Sequence, residues 1–204
     1  MFKIFSQNAK FPQGFIGKFV LNMMNLGHNK TALWGLEKIN LQVKTKALDI
    51  GCGGGRNIAN LLNLNPNLVV YGIDISQTAV DKSIKTNQKA FQKGRVKIAK
   101  QDVLSAKFKE GEFDLVTAFN TTYFWRDIKR NFKEIRKILR DDGRFLILND
   151  GGSKQAIKRY AKVMELENAL IPSEYVNLLE SVGFKNIEIY NHENERTVCI
   201  VSQK

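Results

Sequence analysis

Residues 47–56 have the sequence Ala-Leu-Asp-Ile-Gly-Cys-Gly-Gly-Gly-Arg, a short apolar run that ends in a cluster of glycines. A strand that ends in glycines and continues into a helix exposes backbone N–H groups to a ligand, because no side chains stand in the way. Such a loop lies at the carboxyl end of a strand, where open α/β sheets bind their ligands. The stretch therefore predicts an α/β sheet with a ligand site at the end of this strand.

Two other glycine-rich binding loops do not fit this stretch. A dinucleotide loop needs Gly-x-Gly-x-x-Gly or Ala, but counting from Gly51 its third position is Arg56. A Walker loop requires Gly-Lys followed by Ser or Thr, which is missing after these glycines. The carboxylate of Asp49, just before the glycines, would repel a pyrophosphate and suits a ligand that carries an ammonium or sulfonium group.

Short apolar runs alternate with helical patterns from about residue 46 to residue 150. The predicted strands are residues 47–50, 68–74, 96–100, 113–119 and 145–148. Before the last of them, one face of a predicted helix, which ends at the Asp142–Gly143 turn, is marked by Ile128, Phe132, Ile135 and Leu139. Strands that alternate with helices indicate a parallel sheet covered on both faces.

The end of the chain follows a different pattern. Pro172 opens a predicted helix that Gly183 closes, and two strands follow at 184–190 and 197–201. Because a short polar loop joins these strands, they are predicted to form a hairpin that adds an antiparallel strand to the sheet.

The glycine cluster and four further motifs resemble a known family. Residues 49–55 resemble the glycine motif of class I S-adenosylmethionine-dependent methyltransferases. The motifs that match later strands and turns of that family are residues 71–76, 101–103, 113–119 and 139–144. The resemblance implies an α/β fold with a Rossmann-like, seven-stranded, mostly parallel sheet, an antiparallel C-terminal strand and helices on both faces.

The same resemblance implies S-adenosyl-L-methionine as the cofactor. In the family, the acid that ends the second strand holds both ribose hydroxyls, and Asp74 has that position here. The turn after the third strand contacts adenine, which corresponds to Asp102 and Val103. The cofactor-binding residues that the resemblance implies are Asp49, Gly51, Gly53, Asp74, Ile75, Asp102, Val103 and Asn120.

Each of the three acidic residues also has a structural alternative. Asp74 can cap the following helix, although Ser76 is better placed as a cap. Asp102 can form a turn on its own backbone. Asp49 can be a buried carboxylate bonded to loop N–H groups, and this role is compatible with facing the amino group of the cofactor.

Tyr123 and His28 are the candidate catalytic residues. Asn120 and Tyr123 occupy positions at which members of the family line the acceptor pocket, and the alternative for Tyr123 is ordinary aromatic packing. His28 can accept a proton, and the alternative is an exposed or structural histidine.

Residues 1–36 are predicted to form an N-terminal helical extension, and residues 37–204 the methyltransferase domain. Within the extension, Phe15, Phe19, Met23 and Leu26 recur at helical spacing. A lid over the acceptor pocket, a dimer face and a membrane-surface helix are the competing interpretations. The resemblance favours the lid, because similar methyltransferases close their sites with N-terminal helices.

Composition limits the remaining classes of function. The chain has 204 residues and a formal charge of +12, but its basic positions are spread along helix faces at 82–93 and 126–140. This spread favours a solvated surface over a nucleic-acid track. Two cysteines and two histidines make a metal site a poor interpretation, and none is predicted. Without a bilayer-length apolar run or a secretory signal, a cytoplasmic location is expected.

The predicted function is therefore S-adenosylmethionine-dependent methyl transfer to a small-molecule acceptor. One alternative is an RNA or DNA methyltransferase, prompted by the net charge and by Asn120-x-x-Tyr123, which faintly resembles the Asn-Pro-Pro-Tyr motif of enzymes that methylate base amines. Another is a cofactor-binding protein without catalysis. The acceptor, its reacting atom and the oligomeric state stay open.

Overall fold

Strands and helices alternate along the chain in a computed structural model that describes residues 7–8, 10–39, 46–162 and 164–204. The strands are β1 (Lys46–Ile50), β2 (Val69–Asp74), β3 (Val96–Lys100), β4 (Phe113–Phe119), β5 (Leu139–Asp150), β6 (Lys185–Asn191) and β7 (Thr197–Gln203). The helices are α1 (Gly14–Gly27), α2 (Asn29–Glu37), α3 (Arg56–Leu64), α4 (Gln77–Thr86), α5 (Gln88–Gln92), α6 (Ile128–Ile138), α7 (Lys154–Ala161) and α8 (Pro172–Ser181). None of the helices in these ranges has the length and apolar character that crossing a membrane requires.

The strands form one seven-stranded sheet in the order β3-β2-β1-β4-β5-β7-β6. β7 runs antiparallel to β5 and β6, while the other neighbouring pairs are parallel. The predicted mostly parallel sheet with an antiparallel C-terminal strand is therefore confirmed. After β1 the chain first builds outward through β2 and β3 and then returns to place β4 on the other side of β1. Such a reversal opens a crevice at the carboxyl ends of β1 and β4.

Helices cover both faces of the sheet because its inner strands are apolar on both sides. Phe145 and Ile147 of β5 pack in a cluster with residues of α6 and α8. Leu146 and Leu148, which point the opposite way, pack in a second cluster with residues of α2 and α3. This alternation is the two-residue period of a strand applied to a sheet that is buried on both faces.

The predicted end of α6 is wrong, because the helix stops at Ile138 instead of the Asp142–Gly143 turn. Leu139, which was expected on the helix face, pairs with Phe113 of β4 as the first residue of β5. The next pair is Leu115 with Arg144, so residues 140–143 form a bulge. Leu139 fits the apolar period of the helix, which explains the prediction, but its side chain is fully buried in the sheet.

The N-terminal helices pack on the sheet domain near the crevice. α1 buries Gly17, Val20 and Leu21, whereas Phe15 and Phe19 of the predicted apolar stripe are exposed. The side of α1 that meets the domain is thus the side opposite the stripe. Residues 1–6, 9 and 40–45, which belong to the predicted extension and its boundary, lie outside the described residues.

Candidate cofactor site

The glycine loop between β1 and α3 turns sharply beside the end of β2. The backbone N–H groups of Gly51 and Cys52 donate to the Ile73 carbonyl at 2.8 and 3.1 Å. Gly51 and Gly53 have φ values of 72° and 50°, a region that L side chains rarely adopt. A Cβ on Gly51 would also collide with the Thr121 side chain. Glycine is therefore needed here both for the turn and for the close approach of Thr121.

Asp74, the last residue of β2, is bonded to the glycine loop and to the start of α4. Its Oδ2 accepts from the Gly53 N–H at 3.0 Å, and its Oδ1 accepts from the Ser76 N–H at 2.9 Å. Ser76 itself caps α4, because its hydroxyl oxygen accepts from the Ala79 N–H at 3.3 Å. Burial raises the pKa of Asp74, and the bonds from Ser76 and Gly53 oppose that rise. Each carboxylate oxygen retains a lone pair for a ligand donor.

A cleft of about 510 Å³ opens at the carboxyl ends of the first four strands. The predicted cofactor-binding residues that line it are Gly51, Gly53, Asp74, Ile75, Asp102, Val103 and Asn120. These residues come from the separate loops that follow β1, β2, β3 and β4. The fold therefore gathers into one cleft nearly all of the residues that the sequence motifs single out.

Asp102 forms a turn and also borders the cleft. Its Oδ1 accepts from the Leu104 N–H at 2.8 Å, which is the turn-forming geometry named above as its structural alternative. The neighbouring Val103 is buried and contributes to the core as well as to the cleft wall. The turn thus fixes the orientation of both residues toward the cleft.

Asp49 is the predicted cofactor residue that does not belong to the cleft lining. Its side chain is buried, with 1% of the residue exposed. Thr117 Oγ1 donates to Oδ1 at 2.8 Å, whereas Oδ2 has no hydrogen-bond partner among the described residues. Burial raises the pKa of Asp49 to about 7, Thr117 opposes the rise, and the charge of Asp74 adds to it. The structural alternative for Asp49 was a carboxylate bonded to N–H groups of the glycine loop. The observed donor is the Thr117 hydroxyl group of β4.

His28, Asn120 and Asp150 meet where α1 ends beside β4 and β5. The Asn120 Oδ1 accepts from the Asp150 N–H at 2.8 Å, which directs the Asn120 amide nitrogen toward His28 Nδ1 at 3.2 Å. An Asp150 carboxylate oxygen lies 3.7 Å from the same Nδ1. His28 and Asn120 border a second cavity, of about 60 Å³, and Asn120 also lines the cleft. Sequence reasoning missed Asp150, whose only signal is its position at the end of β5.

Tyr123 has the packed surroundings that were named as its alternative. It is buried, with 1% exposure, and it is not among the residues that line the cleft. Its hydroxyl group shares a hydrogen bond of 3.1 Å with that of Tyr160, and burial raises its pKa well above the usual value. The adjacent Phe124 and Trp125 line the cleft instead. A contact between Tyr123 and the acceptor stays a prediction.

Charged residues at the rim of the cleft had no signal in the sequence. Lys10 Nζ lies 2.6 Å from Glu167 Oε1, and Arg126 lies 3.7 Å from the same oxygen. Side-chain bonds from Lys10 lower the pKa of Glu167. Because Lys10 and Glu167 are 157 positions apart, only the folded chain brings them together. They connect the segment before α1 with the loop before α8.

Cys52 lies within the glycine loop but is a poor nucleophile. Its thiol is buried, and burial together with the charges of Asp74 and Asp49 raises its pKa well above the usual value. A thiol that stays protonated is unreactive, so Cys52 serves as a small apolar filler beneath the loop.

Comparison with known proteins identifies the family. Residues 48–147 match the family described as "Methyltransferase domain". The chain is 23% identical over 163 residues to O-methyltransferase resE of Aspergillus sclerotiorum, covering 77% of this chain and 61% of that protein. It is 28% identical over 206 residues to the carboxy-S-adenosyl-L-methionine synthase of Nautilia profundicola, covering 79% and 82% of the two chains.

A solved structure of similar fold contains the cofactor. Phosphoethanolamine N-methyltransferase 2 of Haemonchus contortus, in complex with S-adenosyl-L-methionine, matches with a TM-score of 0.79 and 16% identity, over 100% of this chain and 60% of that one. This likeness shows a shared fold. The chain spans about three fifths of the length of the first curated relatives that it matches, 61% and 56% in two examples.

The family match covers β1 to β5, which are the strands whose ends form the cleft. The observed sheet has the seven strands and the antiparallel C-terminal strand that the resemblance implies, and S-adenosylmethionine is the cofactor of this family. Together, the match of residues 48–147 to the methyltransferase domain, the curated methyltransferase relatives and the shared fold support a class I S-adenosylmethionine-dependent methyltransferase.

Proposed function

We propose that this protein transfers a methyl group from S-adenosylmethionine to a small-molecule acceptor. The observation that supports the proposal most is the convergence of the glycine loop, Asp74 and the Asp102–Val103 turn on one cleft. Asp74 offers carboxylate oxygens to ribose hydroxyls, and the Asp102–Val103 turn offers an acceptor and a backbone N–H to an adenine edge. These are the donor and acceptor types that a nucleoside requires.

The amino-acid end of the cofactor also has a fitting environment. Asp49 holds a buried carboxylate oxygen without a partner among the described residues, just before the open backbone of the glycine loop. A nearby ammonium group would favour the ionised form of that carboxyl. We propose that Asp49 faces this group from beneath the loop. When bound, S-adenosylmethionine supplies a methyl group that its sulfonium sulfur makes electrophilic.

The acceptor side of the cleft is largely apolar. Leu21 and Met24 cover it from the inner side of α1, and Phe124 and Trp125 line it from the loop after β4. We propose that α1 is a lid that closes the site with this inner side. The role of such a lid is to align the acceptor with the methyl group and to exclude water. An enclosure of this kind suits a compact, partly apolar molecule.

Calorimetry tests the cofactor assignment. We expect S-adenosylmethionine and S-adenosylhomocysteine to bind, and NAD to bind far more weakly, because Arg56 occupies the small-residue position of a dinucleotide loop. Incubation of metabolite extracts with methyl-labelled cofactor then separates an enzyme from a cofactor-binding protein without catalysis. Tight NAD binding without binding of either S-adenosyl compound would refute the proposal.

Nucleic acid is the second candidate acceptor, and the arrangement of basic residues disfavours it. The lysines of residues 82–93 lie on α4 and α5, which pack on β2 and β3, while α6 packs on β5 and α8. α5 joins the cluster of α2 and α3 through Ala90, whereas α6 joins the opposite cluster, so the two basic runs lie on opposite faces of the sheet. A nucleic-acid enzyme needs a continuous basic track that leads to its pocket.

We therefore expect weak binding to bulk RNA that falls steeply between about 50 and about 200 mM salt, as release of counterions requires. Filter binding at the two salt concentrations, combined with a methyl-incorporation assay on the same RNA, provides the measurement. Salt-resistant binding together with methyl label in RNA would support the nucleic-acid alternative.

His28 is the proposed proton acceptor, and its surroundings suit that role. The Asp150 carboxylate lies 3.7 Å from His28 Nδ1, so it can stabilise an imidazolium once a proton has been taken up. Because the Asn120 oxygen is bonded to the Asp150 N–H, its amide nitrogen can only donate to Nδ1, so this 3.2 Å contact positions the neutral ring and must break when Nδ1 takes up a proton. Asn120 therefore positions the neutral ring, and Asp150 favours the protonated one.

The change His28→Gln is expected to lower kcat on an identified acceptor by about 100-fold or more, the usual contribution of a general base. Cofactor affinity should be retained. His192→Gln is the matched control, since His192 lies in the β6–β7 loop and binds Asn194. An unchanged kcat in His28→Gln would contradict the role.

A further inference from the structure

One side of α1 presents large apolar side chains to solvent. Phe15 is 87% exposed, Phe19 59% and Leu26 74%. Ile16 and Met23, also exposed, complete a row at helical spacing, which we call the outer stripe. The inner side of the same helix carries Leu21 and Met24 toward the cleft, so the outer stripe takes no part in closing the site.

The outer stripe is unusual for a surface helix. A helix at a protein surface normally has a polar side toward water, and a helix that is apolar on all sides is normally covered on all sides. In α1 the inner side is buried through Val20 and Leu21, and the outer side is apolar as well. Contiguous exposed apolar surface of this kind marks a binding surface for another molecule or a membrane.

The charges around α1 are mostly positive. Lys18 is exposed within the helix and Lys30 follows it, while the first acidic residue of the chain is Glu37. α4 packs beside α1 and carries Lys82 and Lys85 together with one acidic residue, Asp81, and Lys89 and Lys93 follow in and just after α5. An apolar row flanked by lysines complements a surface that is apolar beneath an anionic layer, as a membrane with acidic lipids is.

A second copy of the chain is a weaker candidate for the occupant. The stripe extends over about 16 Å of a helix that is about 10 Å wide. The area that it covers is therefore far less than the roughly 800 Å² that each partner of a stable dimer buries. Two chains with a net charge of +12 each would also repel one another when their lysine-flanked helices meet. Both arguments favour an anionic lipid surface.

We propose that the outer stripe of α1 docks on an anionic lipid surface, with Phe15, Phe19 and Leu26 entering the interface and the flanking lysines contacting acidic headgroups. The proposal is independent of the proposed catalytic function, because binding to vesicles requires neither cofactor nor acceptor. Since the inner side of α1 lines the cleft, docking would place the cleft close to the lipid surface, with α1 between them.

Vesicle co-sedimentation tests the proposal with the full chain. We expect binding to vesicles of phosphatidylcholine with about one third phosphatidylserine, much weaker binding to phosphatidylcholine alone, and release at high salt. The double change Phe15→Ser with Phe19→Ser should lower the partition coefficient at least about tenfold, since two large apolar groups are lost from the interface. Ile189→Ser is the matched control, because Ile189 is an exposed apolar residue on the edge strand β6.

Two results would overturn the proposal. One is equal binding of the double variant and the wild type to anionic vesicles. The other is a stable dimer, seen by light scattering at micromolar concentration, that the double change converts to a monomer. Thermal melting of all variants verifies that they fold, which is expected because the substituted side chains are mostly exposed.

Discussion

The change Asp74→Ala is expected to weaken the binding of S-adenosylmethionine and S-adenosylhomocysteine together, by about 2–4 kcal/mol or roughly 30- to 1000-fold. The reason is that a carboxylate accepting two ribose hydroxyls forms two hydrogen bonds to a charged group. Both ligands contain the same ribose, so both should lose the same free energy. Calorimetric titration of each ligand into the wild type and the variant measures the effect.

The design must separate ribose binding from support of the glycine loop, since Asp74 also accepts the N–H of Gly53 and Ser76. Asp74→Asn keeps one oxygen acceptor but replaces the other with a donor, so it should retain part of the affinity. Asp81→Asn is the matched control, because Asp81 accepts a hydrogen bond from the exposed Gln77 in the same helix and, within the described part of the chain, lies away from the cleft lining. Unchanged affinity in Asp74→Ala, or a loss confined to one of the two ligands, would contradict the ribose assignment.

The crevice could be predicted from the sequence because its elements are local. The glycines after β1 and the acid at the end of β2 each belong to a strand–loop–helix unit whose periodicity is visible in a short window. Parallel strands then bring those loops to the same edge of the sheet, so Gly51, Asp74 and Asp102 line one cleft. Correct strand direction was sufficient to place them together.

The orientation of helices and aromatic residues could not be predicted in the same way. α1 has apolar residues on both sides, and periodicity alone does not say that Leu21 rather than Phe19 meets the domain. Tyr123, Phe124 and Trp125 are adjacent aromatic residues, and the 3-10 turn that buries Tyr123 depends on its contact with Tyr160, far away in the chain. Contacts between residues that are distant in sequence determine which side of α1 faces the domain and which of the three aromatic residues is buried.

Asp49 provides the second large effect, which is a dependence of stability on pH. Burial raises its pKa to about 7 in the folded chain from the ordinary value of 3.8. Between these two pH values the folded state holds a proton that the unfolded state releases. Stability therefore falls as pH rises through this window, and the full cost, on the order of 4 kcal/mol, is present above pH 7.

The change Asp49→Asn should remove this cost, because a neutral amide has no charge to bury and its oxygen can still accept from Thr117. We expect the variant to melt at a higher temperature than the wild type at pH 8, by about 8–16 °C for a chain of this size. The difference should shrink toward pH 4, because the folded wild-type carboxyl is protonated there and the unfolded one is close to half protonated. Melting curves from pH 4 to pH 8 measure it, with Asp81→Asn as the exposed control.

The same substitution should act in the opposite direction on the cofactor. If the unpartnered Oδ2 of Asp49 faces the ammonium group, its ionised form is favoured in the complex, and binding near pH 6 releases a proton. Calorimetry in two buffers of different ionisation enthalpy detects that release in the wild type, and Asp49→Asn should abolish it and weaken binding. A variant that gains stability without losing affinity would show that the carboxylate is buried beneath the loop for a reason other than binding the ammonium group.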